Sequence, residues 1–175
     1  MRTVVGHDFF ERPTLDVAND LIGQHLCRQL ADGSVLRWQL TEVEAYDGPE
    51  DRACHAHRGQ TPRNAVMFGP AGVFYVYLCY GVHWLLNVVT GPVGFPAAVL
   101  IRGAGEVSGP GRLTKAMQID RQFNGLEACP GIGLWIEIGE GVAPEEVLTT
   151  PRIGIDYAGE PWVSAPYRFL LRSEG

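Results

Sequence analysis

A β-rich α+β domain is the fold class this sequence predicts, and three observations predict it. Twenty-two glycines and twelve prolines in 175 residues supply many turns and leave little room for a helical bundle. Several apolar runs, each bounded by Gly, Pro or Asp, have the length of strands. Two short stretches alone carry helical spacing. The expected architecture is one domain over residues 1–175: a curved antiparallel sheet, a protruding hairpin at about 73–89, and a few short flanking helices.

The elements follow in chain order. Leu15, Ala18, Leu21 and Ile22 are spaced as a helix, with Thr14 as its expected N-cap. From Val35 the pattern turns strand-like. Strict alternation places Trp38, Leu40, Glu42, Glu44 and Tyr46 on one face, and Val35, Arg37, Gln39, Thr41, Val43 and Ala45 on the other. Residues 47–72, with their Gly, Pro and mixed charge, read as a long functional loop. Val73–Cys79 and Val82–Val89 flank Tyr80-Gly81 as a hairpin. Ala97–Ile101 is a buried strand ending at Arg102, and Leu113–Ile119 a short helix after Gly109-Pro110-Gly111. Strands are expected again at Leu134–Ile138 and Arg152–Ile155, and Trp162–Leu171 closes the chain.

No apolar run approaches the roughly 20 residues that cross a bilayer, and the first residues lack the apolar core of a signal peptide, so a cytoplasmic location is expected. Cys27, Cys54, Cys79 and Cys129 form no Cys-x-x-Cys pair, which argues for reduced thiols over a zinc ribbon or an iron–sulfur cluster. The formal net charge of −6 weakens long-range steering toward nucleic acid, so any such contact must rest on a few placed cations.

The chemistry concentrates between residues 42 and 87. Glu44 and Tyr46 are i and i+2 on a strand, about 6.5–7 Å apart on one face. A flat ring stacked on Tyr46 lies beside the Glu44 carboxylate, which burial suits to general-base work. Glu42 shares that face, so a two-carboxylate sugar hydrolase is a rival reading, although one of the pair is expected outside the pocket beside a cation. His55 and His57 make a His-x-His, but no second ligand cluster accompanies them and stacking or hydrogen bonding is the simpler role. Tyr75 and Tyr77 share a hairpin face. Tyr80 at its turn answers no packing demand, and an aromatic there can wedge between bases. Arg102 is either a snorkelling cation or the partner of a carboxylate such as Glu44. Arg58, Arg63, Arg112 and Lys115 lie in turn-rich segments where they are either solvated or grip phosphates. Residues 109–115 lack the Gly-Lys-Ser/Thr ending of a phosphate-binding P-loop.

The ordered motifs Glu42-Val43-Glu44-Ala45-Tyr46, Gly48-Pro49-Glu50-Asp51, His55, Thr61-Pro62-Arg63-Asn64 and Tyr75-Val76-Tyr77 through Tyr80-Gly81 to Asn87 resemble those of the alkyladenine (3-methyladenine/hypoxanthine) DNA glycosylases, in their bacterial form. The resemblance runs from Phe9-Phe10 to Arg168-Phe169. It implies base-excision repair of damaged purines in duplex DNA, by a cytoplasmic, nucleoid-associated monomer that needs no metal or organic cofactor. It implies Glu44 as the base that activates water, with Arg102 helping to hold that water. It implies a pocket for the flipped base made of Tyr46, His55, Tyr77, Asn87 and Leu100. The His55 main chain would read the purine 6-position, and Asn87 would crowd the 2-amino group of guanine. Tyr80 would enter the duplex, and Arg58, Thr61, Arg63, Arg112 and Lys115 would contact phosphates. Tyr46 and Tyr77 would favour cationic bases through their electron-rich faces. No lysine or amine nucleophile occupies the matching positions, so the strand would stay uncut. The chain departs from the family pattern at Gln60, where a basic residue is usual. A binding module on the same scaffold, without catalysis, is the remaining alternative.

Overall fold

The computed structural model describes residues 2–173. Its architecture is α+β, built on one curved antiparallel sheet with three short helices. Helices α1 (His7–Phe10) and α2 (Thr14–Leu21) lead into strands β1 (His25–Gln29) and β2 (Val35–Asp47). The hairpin β3 (Phe74–Cys79) and β4 (His83–Val89) follows, then β5 (Ala97–Ala104) and β6 (Val107–Ser108). Helix α3 (Pro110–Ala116) precedes β7 (Leu134–Glu137), β8 (Val147–Thr150) and β9 (Arg168–Leu171). The main path runs β3-β4-β5-β2-β1-β7, with β9 also on β2, β8 on β9 and β6 on β5.

Strand β2 organises the sheet. Its first half pairs with β1, and its second half lies between β5 and β9. Here the alternation expected from the sequence breaks. The β2–β5 register slips between Leu40 and Glu42 and again before Val43, which is a bulge. Leu40 therefore joins Val43 and Ala45 in the main core under α2, while Glu44 and Tyr46 turn to the opposite face. The core on the first side includes Leu21, Val43, Val99 and Ile101, all without exposed surface. On the second side a smaller cluster of Cys54, Met67, Tyr75 and Ala98 packs against Tyr46 and Tyr77.

Four other expectations change. Thr14 is the first helical residue and not the cap; Pro13 precedes it and its carbonyl takes the Val17 N–H, which frees the buried Thr14 hydroxyl to bond that of Thr90 at 2.9 Å. The third helix begins at Pro110, where a fixed φ suits a first turn, and ends before Gln118, whose φ is +53°. Residues 152–155 form no strand, because the Ile153 N–H goes to a carboxylate and not to a ladder. The short strand β1, which the sequence reading passed over, fills the gap between β2 and β7.

The long loop after β2 is held by its own side chains. Asn64 is buried, accepts the Thr61 N–H at 2.7 Å, and donates to the carbonyls of His55 (3.1 Å) and Gly59 (3.0 Å). A 3-10 turn at Ala65–Phe68 follows. Gly48, at φ +89°, sits where any Cβ would run into the ring of Phe95, so the loop can leave β2 this closely only through a glycine.

At the far edge of the sheet, Glu137 accepts from Arg37 Nε (2.7 Å) and Nη2 (3.2 Å) and from Trp135 Nε1 (2.9 Å). The Arg37 bonds, helped by Trp135 and opposed by burial, hold its carboxyl down at about 2. A folded value below the unfolded one means that the unfolded chain takes the proton first as pH falls. The pairing therefore stabilises the fold above about pH 4.5 and loses that contribution on the way to pH 2. Urea titrations between pH 5 and 2.5 should show a shallower loss of stability for Glu137→Gln than for the parent.

Candidate active site

The hairpin, β5, the long loop and the segment around 153–157 enclose a cavity of about 590 Å³, a size suited to a small flat ligand. Its wall includes Tyr46, His55, Tyr77, Asn87, Leu100 and Arg102, so the residues expected to form a base pocket and Arg102 do come together. Tyr80 stands at its rim with 96% of its surface exposed.

Glu44 lies immediately behind this wall, with no exposed surface. Oε1 accepts the Tyr46 hydroxyl at 3.0 Å and lies 3.5 Å from Arg102 Nη1; Oε2 accepts the Ile153 N–H at 2.7 Å. Both donors and the arginine of the ion pair belong to cavity residues. Glu42 takes a different place. Its Oε2 accepts from Arg102 Nε (3.0 Å) and Arg168 Nε (2.7 Å), one arginine from each flanking strand, and it does not line the cavity. Arg102 thus bridges the two carboxylates, and Glu42 is committed to cations as a structural anchor. That arrangement leaves a two-carboxylate hydrolysis without its second free group.

The aromatic wall is close-set. The His55 ring lies 4.4 Å from that of Tyr77, and Tyr75 and Tyr77 are 5.3 Å apart. His55 Nδ1 is 3.2 Å from the Tyr75 hydroxyl, whereas His57 Nδ1 meets the Pro49 carbonyl at 2.9 Å, so the two histidines diverge. Burial, assisted by the charge of Arg63, lowers the His55 pKa and keeps its imidazole neutral at neutral pH. Burial pushes Tyr75 up to about 12, and raises Tyr46 (with Glu44 adding to it) and Tyr77 as well, so all three phenols keep their protons. The buried Asn87 donates to the Tyr75 carbonyl at 3.1 Å, which fixes its amide against the cavity. The His55 carbonyl is taken by Asn64; no acceptor for the His55 N–H is found among the described residues.

At the hairpin tip, Val82 N–H bonds the Cys79 carbonyl at 3.1 Å, and the two residues inside that turn, Tyr80 (φ +50°) and Gly81 (φ +67°), are both left-handed. Glycine adopts this conformation freely; a tyrosine there is strained.

The residues expected to hold phosphate do not share one location. Arg63 lines the cavity, donates to the Leu78 carbonyl at 2.7 Å and lies 5.5 Å from the Tyr77 centroid. The Thr61 hydroxyl accepts the Asn64 N–H at 3.2 Å. Arg58 borders a neighbouring depression with Arg52, His57 and Tyr157, and Arg112 and Lys115 border another beside Glu106.

The family model of the methylpurine-DNA glycosylases matches residues 8–108 and 105–175. The chain belongs to the methylpurine-DNA glycosylase family. Relatives provisionally named 3-methyladenine DNA glycosylases include one from Methanocella arvoryzae, 46% identical, with 95% of this chain and 91% of the relative covered. Another, from Psychrobacter cryohalolentis, is 44% identical over 90% of this chain and 87% of its own length. A third, from Anaeromyxobacter dehalogenans, is 47% identical over 94% and 81%. This family is one of DNA-acting enzymes, and among the described residues no helix is long and apolar enough to cross a membrane.

Two parts of the candidate site were not expected from the sequence. One is the Ile153 amide on Glu44, a main-chain donor with no side-chain signature. The other is Arg152. Its guanidinium, without exposed side-chain surface, donates Nη1 to Asp51 (2.6 Å) and to the Ala45 carbonyl (3.0 Å), and Nη2 to Asp51 (3.0 Å). It lies 4.9 Å from the centroids of both Tyr46 and Tyr167. Asp51 also accepts the N–H groups of Asp47 and Ala53, each at 3.0 Å. One carboxylate therefore ties together the end of β2, the start of the His55 loop and the segment that presents Ile153.

Proposed function

We propose that this protein excises damaged purines from duplex DNA as a monofunctional glycosylase, working as a monomer on a flipped-out nucleotide. One observation carries the reading: the Glu44 carboxylate, held by Tyr46, Ile153 and Arg102, abuts a cavity walled by tyrosine and histidine rings. The extruded base stacks on Tyr46 and against Tyr77 and His55, and Leu100 closes the far side. The His55 N–H donates to an acceptor at the purine 6-position, which suits hypoxanthine and ethenoadenine and opposes the amino group of adenine. Asn87 crowds a 2-amino group and so opposes guanine.

Glu44 takes a proton from a water molecule, the water oxygen bonds C1′ of the deoxyribose, and the C1′–N9 bond breaks with its electron pair going to the purine. A neutral purine takes up a proton at N7 from solvent as it leaves, whereas a base already cationic, such as 3-methyladenine or 7-methylguanine, needs none; Glu44 then returns its proton to solvent. The product is an abasic site on an intact strand, since no lysine is among the described residues lining the cavity to form a covalent link and Glu44 works through water. Tyr80 fills the gap in the duplex. Its exposed, strained placement makes sense as a wedge and as nothing in the free protein's own packing.

The test is single-turnover release of hypoxanthine, ethenoadenine and 7-methylguanine from duplex oligonucleotides, with alkali revealing abasic sites. Release without strand scission until alkali is added is the expected result. Lesion-selective binding with no release from any of the three would replace this reading with that of a binding module. Tyr80→Ala should slow release from duplex by roughly tenfold to a hundredfold, the cost of losing one stacking aromatic. Release from single strands, which contain no gap to fill, should change little. Duplex affinity should fall as salt rises, with a slope set by the few cations that meet phosphates and not by the net charge of −6.

A further inference from the structure

We propose that Arg152, stacked on Tyr46, turns the base pocket toward neutral purines and away from cationic ones. This rests on the glycosylase reading and goes beyond it, because it names which chemical class of lesion the pocket prefers. It also runs against the sequence expectation that the tyrosine walls attract cations.

The argument starts from an orphan. Arg152 Nε is buried and has no hydrogen-bond partner among the described residues, while its other two nitrogens are taken by Asp51 and the Ala45 carbonyl. The rings of Tyr46 and Tyr167, each 4.9 Å from the guanidinium carbon, are the electron-rich groups facing it. Their π electrons supply what the missing acceptor does not. Arg152 does not line the cavity, whereas Tyr46 does. The guanidinium is thus on the side of the Tyr46 ring away from the ligand.

A ring polarised by one cation has less negative charge to offer a second cation on its other face. A neutral purine stacks through dispersion and area and loses little. The same withdrawal of density makes the Tyr46 hydroxyl a better donor to Glu44. Tyr77 is in a weaker version of this position: Arg63, 5.5 Å from its centroid and itself part of the cavity wall, adds direct repulsion of a cationic base. Both stacking tyrosines are therefore attended by an arginine. Asp51 damps the field of Arg152 without cancelling it at the ring, since the guanidinium is the group laid over the π face.

The readout is the ratio of single-turnover rates on 7-methylguanine (cationic) and hypoxanthine (neutral) in duplex DNA. The variants are the double replacement Asp51→Asn with Arg152→Gln, which removes both charges together, and Arg63→Gln on the exposed rim. The ratio should rise roughly three- to tenfold in the double variant and in the same direction, less strongly, in Arg63→Gln. Equal losses on both substrates, with the ratio unmoved, would mean that Arg152 only holds the pocket in shape, and would overturn the inference. If the double variant does not fold, Arg63→Gln decides alone, an unmoved ratio counting against the inference. Should the parent release neither base, the glycosylase reading fails by itself. The same ratio is then read from fluorescence-anisotropy affinities for the two duplexes, and an unchanged affinity ratio counts against the inference in turn.

Discussion

Replacing Glu44 by Gln is expected to slow release of every damaged base by about three orders of magnitude, the middle of what a positioned general base contributes. The comparison is informative because Gln keeps the shape and one acceptor. The Tyr46 hydroxyl and the Ile153 N–H donate to different oxygens of Glu44, and Gln keeps an acceptor for only one of them. The variant should therefore fold with a modest penalty of about 1–3 kcal/mol while losing the group that takes the proton. Its affinity for lesion-bearing duplex should stay within a few-fold of the parent, since the carboxylate lies behind the wall and not in it. Loss of rate with binding retained is the outcome that assigns the chemistry. A variant that still releases base at near-parent speed would move the base role elsewhere, and Glu42, held by two arginines, is poorly placed to take it.

The second large effect concerns the ion pair beneath the pocket. Asp51→Ala leaves the Arg152 guanidinium charged, buried and without its bidentate partner, and should cost about 3–5 kcal/mol of folding stability. In a chain of this size the thermal midpoint falls by roughly 10 °C. Asp51→Asn combined with Arg152→Gln should cost clearly less than the sum of the two single replacements, because neither charge is stranded. A thermal-melt double-mutant cycle reads the coupling. Additive single effects would mean that the two side chains do not stabilise each other as the geometry indicates.

The legibility of this molecule from its sequence divides along physical lines. The i, i+2 spacing of Glu44 and Tyr46 is a strand property, and it placed a carboxylate beside an aromatic wall as the structure has it. The hairpin was readable because two strand-like runs flank a turn pair, and Tyr80 stood out because nothing local accounted for it. The inside-outside assignment of β2 failed at Leu40, since a bulge leaves no mark in alternation read residue by residue. Arg152 and Asp51 are 101 residues apart, and no local pattern announces such a pair; Arg152–Ile155 was instead expected to be a strand. The Ile153 amide was invisible for a simpler reason, that every residue but proline has one. The candidate phosphate grips were chosen for being cationic and in turns, which says nothing of whether they converge, and they border different surfaces.

The bulge in β2 has a consequence for how this enzyme family can change. Upstream of it, the strand's even-numbered Leu40 faces the core; downstream, even-numbered Glu44 and Tyr46 turn to the cavity side of the sheet. The position of the chemistry is therefore set by a count of residues as much as by their identity. Straightening the bulge with every residue kept would carry strict alternation on from Leu40 and, in doing so, present Val43 and Ala45 to the cavity and drive Glu42 and Glu44 into the core. This stretch behaves as a ruler. Its geometry matters to the site as much as any one side chain does, although no single residue in it, taken alone, would reveal the constraint.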